Sequence, residues 1–355
     1  MFNGARILVA PLDWGLGHAA RCVPIIRALV HHGATPIMAA DVRPLALLQA
    51  EFPELEHVRL PGVHIRYGDG KSQLWSMAAQ FPAMVHSIHR ERRHFERLRK
   101  DLRLDAVISD QRFGVRSAEV PSILITHQVF PFTPAAQPLL RKLNIHHINR
   151  FDRCWVMDEP EAPGLAGELS HGHDLPANAR YIGTLSRFEA TAHKAGPYRI
   201  VAVISGPEPQ RTILENRLMA LLPSIPGDHL LVRGLPGSTE PDQVGRVKRV
   251  PHLASAELVG ILSAADLIVS RSGYTTLMDL DALGRTALII PTPGQAEQEY
   301  LGRLHARTGR FIVQSQETID LQAALDKAIG TFHTTAPRSN TGLERALKEL
   351  ADMLH

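Results

Sequence analysis

The stretch from Asp266 to Gly302 restricts the fold more than any other part of the chain. Asp266 to Ser270 is a short apolar run of strand type, Arg271 to Gly273 a turn, and Tyr274 to Leu283 a helix stopped by Gly284. Thr286 to Pro291 is a second strand, and Thr292 to Tyr300 is a polar loop entering another helix. Strand, turn, helix and strand in this order make a parallel crossover unit. It sets Ser272, Gly273 and the first helical turn at the carboxyl end of a parallel strand. In open α/β sheets ligands sit at that edge, and a helix N-terminus there favours phosphate.

The same rhythm runs through the rest of the chain. Apolar strand-type segments recur at 7–12, 36–40, 56–60, 106–110, 122–126, 153–157 and 180–184, then at 199–205, 229–233, 246–250, 287–290 and 311–313. Helical patterns fall between several of them, among them Ala19 to His32 and Arg211 to Leu222. Alternating strands and helices imply mostly parallel sheets covered on both faces. With 355 residues, 44% of them hydrophobic, the chain can build two such cores. Leu185 to Pro197 reads as the linker. The expected division is 1–187, 188–340, and a C-terminal helix over 341–355 able to cross back to the first domain.

Composition excludes some functions. A net charge of +3 is too small to point to nucleic acid. Cys22 and Cys154 have neither metal nor redox spacing, which fits a reduced, cytoplasmic protein. No apolar run reaches the ~18 residues of a membrane span. The opening, Met1 to Arg6, leads into a strand and lacks a signal-peptide pattern.

Ser72 to Arg103 breaks the pattern. Leu74, Trp75, Met77, Ala78, Phe81, Met84 and Val85 form an apolar stretch, divided by Pro82. From His86 to Arg103, seven Arg or Lys stand against three acids, an excess larger than that of the whole chain. An apolar segment followed by a basic helix suits peripheral contact with an anionic membrane through 74–103. A crossover helix with solvated arginines is the alternative.

Three turns end strands and open helices: Gly15 to His18, Ser205–Gly206, and Ser272–Gly273. Glycine lets backbone N–H groups approach a ligand, and the helix end adds partial positive charge. Gly15 and Gly17 are followed by His18, Ala19 and Ala20 with no third glycine, so the dinucleotide fingerprint is absent. Two serine–glycine turns in the second half are what a diphosphate needs.

On these residues the second half resembles the donor-binding domain of GT-B glycosyltransferases, and in particular glycosyltransferase family 28. That family includes the lipid-linked N-acetylglucosaminyltransferase of peptidoglycan synthesis and the diacylglycerol galactosyltransferases. The pattern is Arg271, Ser272, Gly273, Thr276 and Asp279, followed by Gly284, Pro291, Gln298 and Glu299. The resemblance implies two Rossmann-like domains facing across a cleft. It implies that Ser205, Gly206, Ser272 and Gly273 meet a diphosphate, with Arg271 or Arg187 adding charge. Asp279, where the family usually has Glu, would meet the ribose. Gln298 and Glu299, where a second Gln is common, would meet the sugar. In the first half, Gly15, Gly17 and His18 resemble the family's first glycine loop, and Thr126, His127 and Gln128 an acceptor-side element.

Sugar transfer from a nucleotide-diphosphate sugar, with UDP-sugars the expected donors, needs a base for the acceptor hydroxyl and stabilisation of the departing diphosphate. His18 is the candidate base and His127 the reserve. No metal or cofactor is expected, because helix N-termini and an arginine can hold the diphosphate. Asp279 and Asp281 spell a metal-binding Asp-x-Asp, but residues two apart on a helix point in nearly opposite directions. His171, Gly172, His173 and Asp174 read as a solvated loop. Asp110 reads as a group that caps or hydrogen-bonds at its strand end. The expected reaction is inverting and metal-independent, with a lipid or lipid-linked sugar as a possible acceptor at the inner face of the cytoplasmic membrane. The alternatives are a nucleotide-sugar epimerase of the same architecture and a non-catalytic nucleotide-sugar-binding partner subunit. An epimerase would return an isomeric sugar nucleotide without releasing UDP.

Overall fold

The computed structural model describes residues 1–13, 15–62, 88–132, 137–188, 196–236, 240–328 and 341–354. They form two compact units. One holds the described residues up to Leu185, apart from Gly15–Gly17, together with the C-terminal helix; the other holds Gly15–Gly17 and the described residues from Ser186 to 328.

The first unit runs β1 (Arg6–Pro11), α1 (Leu16–His31), β2 (Thr35–Ala40), α2 (Val42–Glu51), β3 (His57–Arg59), α3 (88–101), β4 (Ala106–Asp110), β5 (Ser122–Thr126), α4 (Gln137–Ile148), β6 (Arg153–Val156) and β7 (Ala179–Tyr181). All its strand pairs are parallel, in the order β3-β2-β1-β4-β5-β6-β7. Every residue of β4 and β5 is buried. Helices cover both faces, so continuous apolar runs, rather than alternating ones, make these strands. Leu8, Ala10, Ile37, Phe95 and Val107 share one core, and Leu124, Phe130, Ile148 and Val156 another.

The second unit runs β8 (Ile200–Val203), α5 (Gln210–Leu221), β9 (His229–Val232), β10 (Asp242–Val244), β11 (Val247–Val250), α6 (Ser255–Ala264), β12 (Leu267–Ser270), α7 (Tyr274–Ala282), β13 (Ala287–Ile289), α8 (Ala296–Arg307), β14 (Ile312–Val313) and α9 (Leu321–Ala328). Its strand order is β10-β11-β9-β8-β12-β13-β14, parallel except for the β10–β11 pair. Among the described residues, each unit is thus a doubly wound α/β sheet of seven strands.

The closing helix α10 (Thr341–Asp352) belongs to the first unit. Leu343, Ala346, Leu347, Leu350 and Ala351 are its buried residues, one face at i, i+3, i+4, i+7 and i+8. Glu349 pairs with Arg153 at 3.3 Å, and Glu344 with His32 at 2.8 Å. Gly342 allows close approach, since a Cβ there would lie 2.7 Å from the carbonyl carbon and oxygen of Ile182. A glycine-to-alanine change inside a helix ordinarily stabilises by up to ~1 kcal/mol. Here the clash with backbone costs about 1–3 kcal/mol and reverses the sign. Gly342→Ala is therefore expected to lower the denaturation midpoint, which a urea titration of both proteins checks.

One sequence expectation changes at this level. The helix expected from Ala19 begins at Leu16, because Gly17 is drawn into its first turn, so His18 lies inside the helix rather than in the loop before it. Of the expected membrane-contacting stretch 74–103, residues 74–87 lie outside the described residues; the basic helix α3 remains. Its base is held by Arg112, whose buried guanidinium donates to Glu91 Oε1 at 2.7 Å, Leu60 O at 2.9 Å and Pro61 O at 3.0 Å.

Candidate active site

Each sheet has one point where the strand order reverses. In the first unit it lies between β1 and β4, and in the second between β8 and β12. Crevices of this kind, outside the carboxyl ends of the strands, are where open α/β sheets take ligands. His18, Asp110 and His127 lie by the first, and Ser205, Gly206 and Arg271–Gly273 by the second.

At the first reversal, β1 leads into α1, which carries His18 and Arg21 three residues apart on one face. The adjacent strand β4 ends in Asp110. Asp110 is fully buried and accepts from Arg21 Nε at 2.8 Å, while its other oxygen takes Arg21 Nη2. His18 Nδ1 lies 2.9 Å from Asp110 Oδ2. Burial alone would raise the Asp110 carboxyl; the charge of Arg21, then that of His18, and their hydrogen bonds bring it down to about 2. Arg21 Nη1 reaches His127 Nδ1 at 2.8 Å, just beyond β5. The imidazole of His18 is 17% exposed and the Asp110 side chain 0%. The site is therefore a buried carboxylate–guanidinium pair with a histidine presented above it.

The neighbouring backbone is held in an uncommon conformation. Gln111, next after Asp110, has φ of +55°. Its side-chain amide donates to Thr126 Oγ1 at 2.9 Å, and Thr126 Oγ1 also takes the Gln128 N–H at 2.9 Å. Non-glycine residues in the left-handed region gather at functional sites, where surrounding contacts impose them.

At the second reversal, β8 leads to Ser205–Gly206 and β12 to Arg271–Gly273. Gly206 has φ of +110°, and an added Cβ would meet nothing within 4 Å. The space above Gly273, the N-cap of α7, is equally open. The first N–H groups of α7 have no intrahelical acceptor, as at any helix start, and carry partial positive charge.

The side chains of this turn face inward. Ser272 Oγ donates to Gln298 O at 2.8 Å and is fully buried. Arg271, which the sequence offered as a charge for a diphosphate, is also fully buried. It donates to Gln210 O at 2.7 Å, Gln316 Oε1 at 2.6 Å, and Ile290 O and Pro291 O at 3.3 Å each. Burial lowers its guanidinium to about 10. Its guanidinium ties β12 to β13 and to the start of α5 rather than projecting from the sheet edge. Gln298 Oε1 accepts from Thr292 N at 2.9 Å and Glu299 Oε1 from Gly294 N at 2.8 Å, so both brace the 292–295 loop. Thr276 lies half-buried in the first turn of α7.

Asp279 on α7 is buried and accepts from Ser186 Oγ at 2.6 Å and Arg187 Nε at 3.3 Å. Burial pushes its carboxyl above the usual aspartate range, against the pull of Arg187 and Ser186. Asp281 is paired instead with Arg310. Among the described residues, no group of three or more His, Cys, Asp or Glu is placed to hold a metal ion. His171 stacks on Tyr181 at 5.0 Å between ring centroids, and His173 sits edge-on to Phe130. Of the loop read as solvated, Gly172, His173 and Asp174 are exposed, while His171 is buried.

Asp110 does hydrogen-bond at its strand end, to His18 and Arg21, and Arg21 is the residue that sequence reasoning does not single out. A charged residue between Ala20, Cys22 and Val23 on an apolar helix face, one turn after His18, was the available signal.

The chain is similar to known glycosyltransferases in sequence and in fold. Residues 253–353 match the glycosyltransferase family 28 C-terminal domain, a span that contains the Arg271–Glu299 pattern. A protein of Rhodopseudomonas palustris, UDP-N-acetylglucosamine--N-acetylmuramyl-(pentapeptide) pyrophosphoryl-undecaprenol N-acetylglucosamine transferase, is 30% identical over 224 residues, 54% of this chain and 60% of that protein. Its namesake from Caldanaerobacter subterraneus is 36% identical over 83 residues, 23% of this chain and 22% of that protein. The chain thus spans between about a fifth and three fifths of these relatives. Among solved structures, the spinosyn rhamnosyltransferase SpnG superposes with a TM-score of 0.60 at 18% identity, over 98% of this chain and 96% of that one. MurG of Acinetobacter baumannii superposes with 0.55 at 12% identity, over 97% and 99%. At such identities the likeness concerns the fold, which is GT-B.

Proposed function

For a chain of GT-B fold whose residues 253–353 match the glycosyltransferase family 28 C-terminal domain, we propose that it transfers a sugar from a nucleotide-diphosphate sugar to an acceptor hydroxyl. One observation carries the reading: the Ser205–Gly206 and Ser272–Gly273 turns end adjacent strands at the strand-order reversal, with open space over both glycines. Backbone N–H groups there suit the leaving diphosphate, whose developing charge they stabilise without reorganising. The curated relatives use UDP-N-acetylglucosamine by name, which favours a UDP-sugar donor.

His18 is the base in this scheme. The acceptor O–H bond breaks as His18 gains the proton, the acceptor oxygen bonds to the anomeric carbon, and that carbon's bond to the diphosphate oxygen breaks. A single displacement of this kind inverts the anomeric centre. Asp110 stabilises the imidazolium that forms. Asp279 keeps part of a carboxylate's about four lone-pair sites for the ribose hydroxyls, beyond its bonds to Ser186 and Arg187. Asp279→Ala is expected to raise the donor KM by about 10–100-fold with a smaller change in kcat, the cost of losing hydrogen bonds to a charged group. Initial rates at varied donor concentration check this.

The acceptor is proposed to be lipid or lipid-linked, with contact at an anionic membrane. In α3, Arg90, Arg93, Arg97 and Lys100 are exposed at spacings of three, four and three residues, one basic stripe. No helix among the described residues is long and apolar enough to cross a membrane. Vesicles containing phosphatidylglycerol are expected to float with the protein, and neutral vesicles or the fourfold Arg/Lys→Gln variant to float with much less. Equal recovery with both vesicle types counts against the stripe.

A further inference from the structure

Two histidines of the first unit were candidates for the base, and one guanidinium touches both. We infer that the Arg21–Asp110 pair holds His18 and His127 in opposite tautomers, leaving Nε2 of His18 as the ring nitrogen able to take a proton. The tautomers follow from the geometry together with the ionised state of Asp110; their catalytic consequence rests on the glycosyltransferase reading.

A guanidinium offers donors only and stays charged. Arg21 Nη1 lies 2.8 Å from His127 Nδ1, so that nitrogen is the acceptor and carries no hydrogen. Neutral His127 therefore holds its hydrogen on Nε2 and has no lone pair left for a proton.

His18 faces two demands at one atom. Its Nδ1 lies 2.9 Å from Asp110 Oδ2 and 2.9 Å from Arg21 Nη2. An N–H there donates to the carboxylate; a bare nitrogen accepts from the guanidinium. The carboxylate wins for two reasons. Asp110 is buried and ionised, and a lone pair turned on its oxygen at this distance would set two acceptors against each other without water between them. Both competing bonds are charge-assisted, so strength alone does not choose between them; the second reason is that the arginine has another acceptor. Arg21 Nη2 loses little, since it already donates to Asp110 Oδ1. His18 thus carries its hydrogen on Nδ1 and presents a bare Nε2 from a ring that reaches the surface. Arg21 and His127 are positioning residues, acting through Asp110 and His18.

Nitrogen NMR on the full chain, labelled with 15N at histidine and held at pH 8, reads the tautomers directly and without substrate. His18→Gln and His127→Asn supply the assignments. The expected result is Nδ1–H for His18 and Nε2–H for His127; Nε2–H at both, or Nδ1–H at His127, overturns the inference. A kinetic arm tests the positioning role. Asparagine at 127 places an acceptor near the position of Nδ1, so His127→Asn is expected to keep kcat within about threefold of wild type, whereas His127→Leu lowers kcat about 100-fold at unchanged donor KM. Wild-type kcat in His127→Leu refutes that role. If no nucleotide sugar is turned over at all, the glycosyltransferase reading fails while the spectra still decide the tautomers.

Discussion

Replacing His18 with alanine is expected to lower kcat for sugar transfer by about 10²–10⁴-fold, the usual weight of a positioned general base. Donor KM should stay close to wild type, because no donor contact is assigned to His18 and a group that acts in the transition state changes kcat and kcat/KM together. The fold should survive the change. The His18 side chain is partly exposed, and its removal leaves the Arg21–Asp110 pair intact. Steady-state kinetics with thermal denaturation of the same samples check both halves. A His18→Ala protein with wild-type kcat would remove His18 from the chemistry and leave the structural role of Asp110 standing.

Asp110→Asn is expected to damage stability and turnover together. Arg21 is 2% exposed, and its guanidinium would remain buried without a counter-charge. Breaking a buried pair from one side costs about 3–5 kcal/mol, more than an exposed pair is worth. Turnover should fall by about 10²–10⁴-fold, since asparagine neither fixes the His18 tautomer nor stabilises its cation. The pH dependence has a definite sign. The Asp110 carboxyl titrates at about 2 in the fold, below its ordinary value of 3.8. A depressed carboxyl stabilises fully above its unfolded value, and that contribution disappears as pH falls toward 2. The stability gap between wild type and Asp110→Asn should therefore narrow as pH falls from about 4 toward 2. Denaturant titrations at stepwise pH check this; a gap that widens between about pH 4 and 2 contradicts it.

Much of this is legible in the amino-acid sequence. The strands at 7–12, 106–110, 122–126 and 267–270 announced themselves as unbroken apolar runs, because parallel strands buried on both faces have no polar side to alternate with. The Ser272–Gly273 turn was legible for the same reason, as the punctuation between such a strand and a helix. What escaped was topology and direction. No local pattern says that β4 lies beside β1, so the meeting of Asp110 with His18 across 92 residues could not be read from spacing. Nor does a sequence show which way a side chain turns. Arg271 and Ser272 stand in a ligand-type turn, yet both point into the sheet edge and hold β13 and the 298 region in place. The strand β10 was missed because it is three fully exposed residues in a single antiparallel pair, without the apolar run that marked the others.

The central claim is sugar transfer from a nucleotide-diphosphate sugar, and the most direct measurement incubates the purified chain with a panel of UDP-, TDP- and GDP-sugars. Nucleotide diphosphate release and the sugar products are followed together. The account predicts release of UDP from one or a few UDP-sugars, faster with acceptor lipid, and nearly abolished by His18→Ala. An isomerised sugar nucleotide without UDP release, or a folded protein that neither binds nor cleaves any member of the panel, would contradict it.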